Sequence, residues 1–478
     1  MINFSRRGFL AAGAAGLGLA AMPRMPVAQT APLSLTATTR VLDIQGRAAT
    51  VLGLGKGLVL EPGQRFRVDL RNDLDQPTLI HWHGQTPPNA QDGVPDMPMP
   101  MLAPGESRSY DFDPVPGTHW MHAHVPLQEI RLLAAPLIVR SAGDVAADRQ
   151  EVVMFLHDFA FAEPQEVIER ITGGHAPAAD AGHGMGHGMH GGENSGGMNM
   201  GKMDMGGMAM DLNDYDWDAY LTNDRTLHDP EIVSVDGGGR VLLRIINAAS
   251  ATVFWIDTAE LPGQLVAVDG HGTQPVAGSR FGVAMGQRLD ILIDLPAGGA
   301  WPILALREGA RERTGLILAT PGAAIPKIPL MSEADSPAFD TDLSQEAGFA
   351  ALDPLSARRT DRTHMVMLGG SMQPYLWTID GKTWGDHTPV EARTGERVEL
   401  MFHNMSMMGH PIHLHGHSFQ VVGINGTRLS GARRDTVYVP PMAMVTVALD
   451  AGEAARWMLH CHHVPHMATG MMTEFAVS

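Results

Sequence analysis

A single cysteine, Cys461, serves a chain of 478 residues. One thiol excludes an intrachain disulfide framework, and chemistry explains it better than stapling does. Positive charge is scarce as well. Lys and Arg number 34 against 52 Asp and Glu, for a formal net charge of −18. That balance argues against nucleic acid as a partner and suits the attraction of metal cations, although plain solubility accounts for it equally. Long apolar runs are missing. The best candidate, Ala11 to Ala21, is short and rich in glycine, which is a poor membrane span. It follows Ser5-Arg6-Arg7-Gly8-Phe9-Leu10, and together they read as a twin-arginine export signal over residues 1–30, cut near Ala28. Cargo of the twin-arginine machinery travels folded, often with its cofactor, so the mature protein is expected to be soluble and periplasmic.

Glycine and proline are plentiful, at 54 and 33 residues. They punctuate short runs of Val, Leu and Ile and predict an all-β fold. Length alone suggests about three domains. The densest chemistry lies in His460-Cys461-His462-His463-Val464-Pro465-His466-Met467-Ala468-Thr469-Gly470-Met471. On a strand, successive side chains face opposite sides, so Cys461 points one way while His460 and His462 point the other. One strand can then hold a thiolate-ligated metal on one face and an imidazole-ligated site on the other. A thiolate, two imidazoles and a weak axial thioether make a blue-copper electron-transfer site. Cys461, His466 and Met471 supply three of those four donors within a few residues.

An internal repeat organises the rest. Gly63-Gln64-Arg65-Phe66-Arg67-Val68 aligns with Gly395-Glu396-Arg397-Val398-Glu399-Leu400. Without a gap, Asn72 falls on Asn404, His81 on His413, His83 on His415 and Gly84 on Gly416. A third copy starts at Gly238-Gly239-Arg240-Val241 and reaches Asn247 at the same spacing, but places Ile256 and Thr258 where the others have histidines. The closing strands repeat too: Gly117 to His124 matches Ala455 to His462, with Ala123 in the place of Cys461. Self-similarity of this kind predicts homologous β domains, of which the first and third carry donors and the middle one none.

Strand parity sorts the histidines. His81 and His83 share a face, as do His122 and His124, and His413 and His415, while His410 has the opposite parity to His413. His410 can therefore join Cys461 and His466. His81, His83, His122, His124, His413, His415, His460 and His462 form a separate cluster of eight imidazoles.

With these motifs in place, the sequence resembles the multicopper oxidases, the family of laccases, cuprous oxidases and copper-resistance oxidases. His81-Trp82-His83-Gly84, His122-Ala123-His124, His410-Pro411-Ile412-His413-Leu414-His415 and His460-Cys461-His462 with His466 and Met471 match that family's motifs in order and spacing. The resemblance runs from about Leu33 to the end. It implies three cupredoxin-like Greek-key β-barrel domains, over 31–145, 146–325 and 326–478. It also implies four copper ions. Type 1 falls to His410, Cys461, His466 and axial Met471; type 2 to His81 and His413; the type 3 pair to His83, His122 and His462 on one ion and His124, His415 and His460 on the other. Implied with these are one-electron oxidations at type 1, transfer through Cys461 to His460 or His462, and reduction of dioxygen to water. Asp92, in Gln91-Asp92-Gly93, matches a proton-relay acid of some members, though an Asp-Gly turn explains it equally. The second acid that cuprous oxidases place directly after the last type 1 histidine is Met467 in this chain.

A methionine-rich insert at about 175–212 distinguishes the chain. Met185, Met189, Met198, Met200, Met203, Met205, Met208 and Met210 stand there among glycines with His183, His187 and His190. Thioethers are soft ligands that select Cu(I), and glycine and serine would make an ordinary linker less prone to oxidation. Met97, Met99 and Met101 alternate with proline, and Met405, Met407 and Met408 lead up to His410. Met408 stands where cuprous oxidases have a substrate-site methionine, with Met407 beside it, but Ser406 replaces their acid. The approach to His410 resembles the copper-resistance branch. The expected activity is periplasmic Cu(I) oxidation by a monomer, the reductant being Cu(I) or a small molecule. The alternatives are a laccase-like phenol or Mn(II) oxidase and a non-catalytic copper-binding scaffold.

Overall fold

Short β-branched runs, closed by glycine and proline turns, become strands throughout a computed structural model that describes residues 31–173 and 212–478. The stretch over 1–30, read as an export signal, and the methionine-rich stretch from Met185 to Met210 lie outside the described residues. Helices are brief among the described residues, the longest being Pro164–Thr172. The all-β expectation holds.

The sheets segregate along the chain. Residues 33–139 supply two four-stranded sheets, 150–319 sheets of six and five strands, and 362–477 sheets of seven and five. Ser34–Ser478 form one compact unit, and of Met1–Leu33 only the last three residues are described. Strand Phe66–Asn72 buries Phe66, Val68 and Leu70 while Asp69 and Arg71 stay exposed, the alternation of a strand with one face on a core. Its counterparts Arg240–Asn247 and Arg397–Asn404 each pair with a parallel strand on one side and an antiparallel strand on the other.

The repeat seen in the sequence has a physical job. Asn72, Asn247 and Asn404 end those three strands, and all are fully buried. In each case the side-chain oxygen accepts the N–H two residues on: Leu74, Ala249 and Ser406. In each case the side-chain amide donates to a carbonyl of the following turn and to one of a neighbouring segment, Leu102, Val283 or Val439. A buried amide that satisfies an otherwise orphaned turn is costly to replace.

The strands that follow share one register. Ile80–His83 pairs with Gly117–Ala123 so that His81 lies opposite His122. His410–Leu414 pairs with Arg456–Cys461 so that His413 lies opposite His460. In the middle copy Phe254–Asp257 pairs with Ala300–Arg307, and Ile256 lies opposite Ala305. The middle copy keeps the scaffold and puts Ile256 and Thr258, the latter with its hydroxyl donating to Leu261 O, at the donor positions.

Candidate metal centre

The two faces of strand Arg456–Cys461 lead to two groups of donors. On one face, Cys461 Sγ lies 3.7 Å from His410 Nδ1 and 3.6 Å from His466 Nδ1, and the two imidazole nitrogens are 3.1 Å apart. The strand stops at Cys461, and the short helix Val464–Ala468 carries His466 back beneath it. Met471 is anchored to both neighbours: its N–H donates to His466 O, and its carbonyl accepts from Cys461 N–H. Its side chain is fully buried in the same apolar cluster as Cys461. Ser406, known from the sequence only as a missing acid, puts its hydroxyl 2.8 Å from His410 Nε2 and so orients that ring.

On the other face the eight histidines of the cluster gather from both ends of the chain. His83, His122 and His462 form one ring of donors, His124, His415 and His460 a second, and His81 joins His413 with His83. Within each group every ligand atom lies within 4.8 Å of the others. The outer nitrogens face acceptors and so carry the proton. His81 Nδ1 donates to Asp92 O at 2.8 Å, His413 Nδ1 to Asp435 O at 2.9 Å and His460 Nδ1 to Cys461 O at 3.0 Å. His415 Nδ1 donates to Asp92 Oδ2 at 2.8 Å, and His83 Nε2 to Asp435 Oδ1 at 3.1 Å. The inner nitrogens are left with lone pairs. His415 Nε2 faces His460 Nε2 at 3.1 Å, and His81 Nε2 faces His413 Nε2 at 3.4 Å. His83 Nδ1, His122 Nε2, His124 Nε2 and His462 Nε2 are buried with no hydrogen-bond partner among the described residues. Converging lone pairs repel unless a cation lies between them, and outer nitrogens tied to carbonyls and carboxylates are the usual support of metal-bound histidine. The donors fit metal ions at both faces. Three nitrogen and sulfur donors at one, and imidazoles alone at the other, suit copper.

Electrostatics agree. Burial pushes His410 and His124 down to about 3, and His81, His83, His415, His460, His462 and His466 fall well below the usual imidazole range, burial first and neighbouring imidazoles second. Neutral imidazole is the ligating form. Burial also pushes the Cys461 thiol up, so a bound cation is what would make it a thiolate. Burial raises Asp92 to about 8. Asp435 is different: burial would raise it, but the Arg288 guanidinium at 2.7 Å holds it well below the usual carboxylate range.

Several of these partners escape a reading of the sequence. Arg288 and Gly286 come from the donor-free middle copy. Gly286 takes a positive φ of 79°, and a Cβ there would fall 2.9 Å from the His462 ring, so glycine lets the backbone close against the cluster. Asp214, with a fully buried side chain, accepts from the Tyr375 hydroxyl and lies 3.6 Å from His466 Nε2 and 3.5 Å from His463 Nε2. Among the methionines, Met405 and Met407 are exposed and Met408 is buried. Met407 and Met408 line a crevice with Met285, Glu308, His463 and Leu212.

Three family models described as multicopper oxidase match residues 47–144, 178–321 and 358–478. "Multicopper oxidase MmcO" of Mycobacterium tuberculosis is 32% identical, over 99% of this chain and 96% of that protein. "Copper resistance protein A" of Escherichia coli is 26% identical, over 95% and 94%. The solved structure of Fet3p, described as a multicopper oxidase that functions in iron import, superposes with a TM-score of 0.74 at 16% identity, covering 94% of this chain and 90% of that one. A laccase from Botrytis aclada superposes at 0.71 with 19% identity, covering 93% and 87%. At those identities the two structures speak for the fold alone, which is the curled-sheet, cupredoxin-like one.

Proposed function

Because the chain belongs to the multicopper oxidase family, we propose that it oxidises Cu(I) outside the cytoplasm, one electron at a time, with dioxygen as the final acceptor. Type 1 copper is assigned to His410, Cys461, His466 and Met471, type 2 to His81 and His413, and the type 3 pair to His83, His122 and His462 and to His124, His415 and His460. The converging lone pairs on those rings support the assignment. The partition into domains at 31–145, 146–325 and 326–478 is supported by sheets that stay within those limits.

The residues of the sulfur-containing ring would hold a copper that supplies one-electron oxidation, and the imidazole rings would hold copper that supplies reduction of dioxygen, with four electrons and four protons, to two waters. The chain's own residues supply the route and the setting. Cys461 is joined by single peptide bonds to His460 and His462, so one short covalent path links the two faces. Asp92 holds a carboxyl against His415 at 2.8 Å, where it can keep a proton beside the site of oxygen reduction. Ser406 fixes the His410 ring, and Asp214 lies beside the outer edge of His466.

One observation favours Cu(I) over other reductants. Leu212, two residues beyond Met210 in the sequence, lines the same crevice as Met285, Met407, Met408 and His463, so the described chain resumes beside three thioethers. Thioethers select Cu(I), and the names of the relatives called copper resistance protein A accord with it. A laccase-like activity on phenols or Mn(II) is the second reading, prompted by relatives named as laccases.

The test compares kcat/KM for Cu(I), Mn(II) and a phenol in the full chain and in a variant with residues 183–210 replaced by a short Gly/Ser linker. Cu(I) oxidation should fall selectively, while phenol oxidation holds or rises because a phenol does not need soft thioether donors for its capture. Parallel loss of all activities would make the insert structural. No change would leave it without a part in substrate handling. A colourless protein that takes up no copper would revive the scaffold reading.

A further inference from the structure

Each three-imidazole ring has a carboxylate of its own. Asp92 serves the ring of His124, His415 and His460. At the ring of His83, His122 and His462, Asp435 holds His83, and the other two imidazoles face a second carboxylate, Glu129, which no motif in the sequence marks. It sits on the short helix Pro126–Ile130, seven residues after His122. Gln128, beside it, fixes that helix: its side-chain carbonyl accepts from Thr78 Oγ1 at 2.6 Å and its amide donates to Pro77 O at 2.8 Å.

The Glu129 side chain is 1% exposed. Oε2 lies 3.1 Å from His122 Nδ1, and Oε1 lies 3.9 Å from His462 Nδ1. Oε1 and His462 Nδ1 are both buried without a hydrogen-bond partner among the described residues. His122 has a second acceptor in Ala123 O at 3.1 Å. Among the described residues, the carboxylate that His462 Nδ1 faces is this one. A buried carboxylate is costly unless donors share it, and two imidazole N–H groups from opposite ends of the chain are placed to do so.

Resting on the ligand assignment above, we propose that Glu129 is a positioning residue shared by His122 and His462. By accepting from the Nδ1–H of both rings it fixes the tautomer in which Nε2 is unprotonated and aimed inward, and it thereby sets how firmly this ring retains its copper. Outer-shell carboxylates of this kind carry about 10- to 100-fold in metal affinity.

The experiment loads full-length wild type, Glu129→Ala and Glu129→Gln with copper. It then counts copper per chain after a graded chelator challenge and records the electron paramagnetic resonance spectrum and the blue absorption. Glu129→Ala should give up copper at about 10- to 100-fold lower chelator concentration while the blue absorption stays. A new paramagnetic copper signal should appear as one member of the spin-paired type 3 couple is lost. Glu129→Gln keeps the volume and one acceptor oxygen, so it should retain copper better than the alanine variant and worse than wild type. That graded rescue is not what a packing defect would produce, and it remains readable if the alanine variant fails to fold. Wild-type retention in both variants would overturn the role of Glu129. A wild type that binds no blue copper, or fewer than four ions, would instead overturn the ligand assignment.

Discussion

The two faces of strand Arg456–Cys461 solve different problems with the same chain. The sulfur face draws its donors, His410, Cys461, His466 and Met471, from one stretch near the end of the sequence. The imidazole face draws from both ends, and its walls include Gly286 and Arg288 of the middle copy. One is a local motif closed by a short helix. The other exists only once distant parts of the fold have met. A centre that passes single electrons needs fixed geometry and little else. A centre that reduces dioxygen also needs protons and carboxylates around it, and a wider circle of neighbours supplies them.

Breaking one face should leave the other standing. Cys461→Ser removes the only thiolate and should abolish the blue absorption and nearly all oxidase activity while copper on the imidazole face persists. Optical spectra with a metal count check this, and a variant that stayed blue would sink the assignment of the sulfur face.

Asp92→Asn is the opposite cut. The amide can still accept from His415 Nδ1, so copper and colour should stay, but it cannot hold a transferable proton. Loss of an acid of this kind costs about 10²- to 10⁴-fold, so kcat should drop by at least the lower figure. Anaerobic bleaching of the blue colour by substrate should keep its rate. If bleaching slowed and steady-state turnover did not, the role given to Asp92 would be wrong.

Met471→Leu tests the sulfur face most gently. The swap roughly preserves volume and removes the weak axial donor, so the site should stay blue and its reduction potential rise. A shift on the order of 60 mV corresponds to one tenfold step in a one-electron equilibrium. A redox titration showing no change, or a fall, would exclude Met471 as the axial ligand.

The sulfur face was also the more legible in the sequence, because parity on one strand and a few residues of spacing place Cys461, His466 and Met471 together. The cluster histidines were legible for a second reason: the repeat brings His81 and His413 to equivalent registers, and Asn72, Asn247 and Asn404 mark that frame. The carboxylates behind the rings were mostly not. Asp92 stood out only by its position after the first motif. Glu129, Asp214 and Asp435 lie in stretches whose spacing carries no periodic signal, and their meaning depends on which distant ring they touch. Ser406 shows the same limit, since its sequence announces a lost acid and its structure supplies a hydroxyl in hydrogen-bond contact with His410.

His83 and His122 share a ring with His462, His124 with His415 and His460, and His81 with His413. In an unfolded chain each group is split between two distant stretches, His81 and His413 lying 332 residues apart, so copper held by a complete group would bind chiefly the native state. Metal supply then becomes a folding variable. An ion held only by the folded chain stabilises it by about 4.1 kcal/mol at a thousandfold excess over its Kd, and a chelator acts as a selective denaturant. On the proposed assignment, copper at the sulfur face, within residues 410–471, would fasten one end of the chain to itself, whereas each ion at the imidazole face would tie the beginning of the protein to its end.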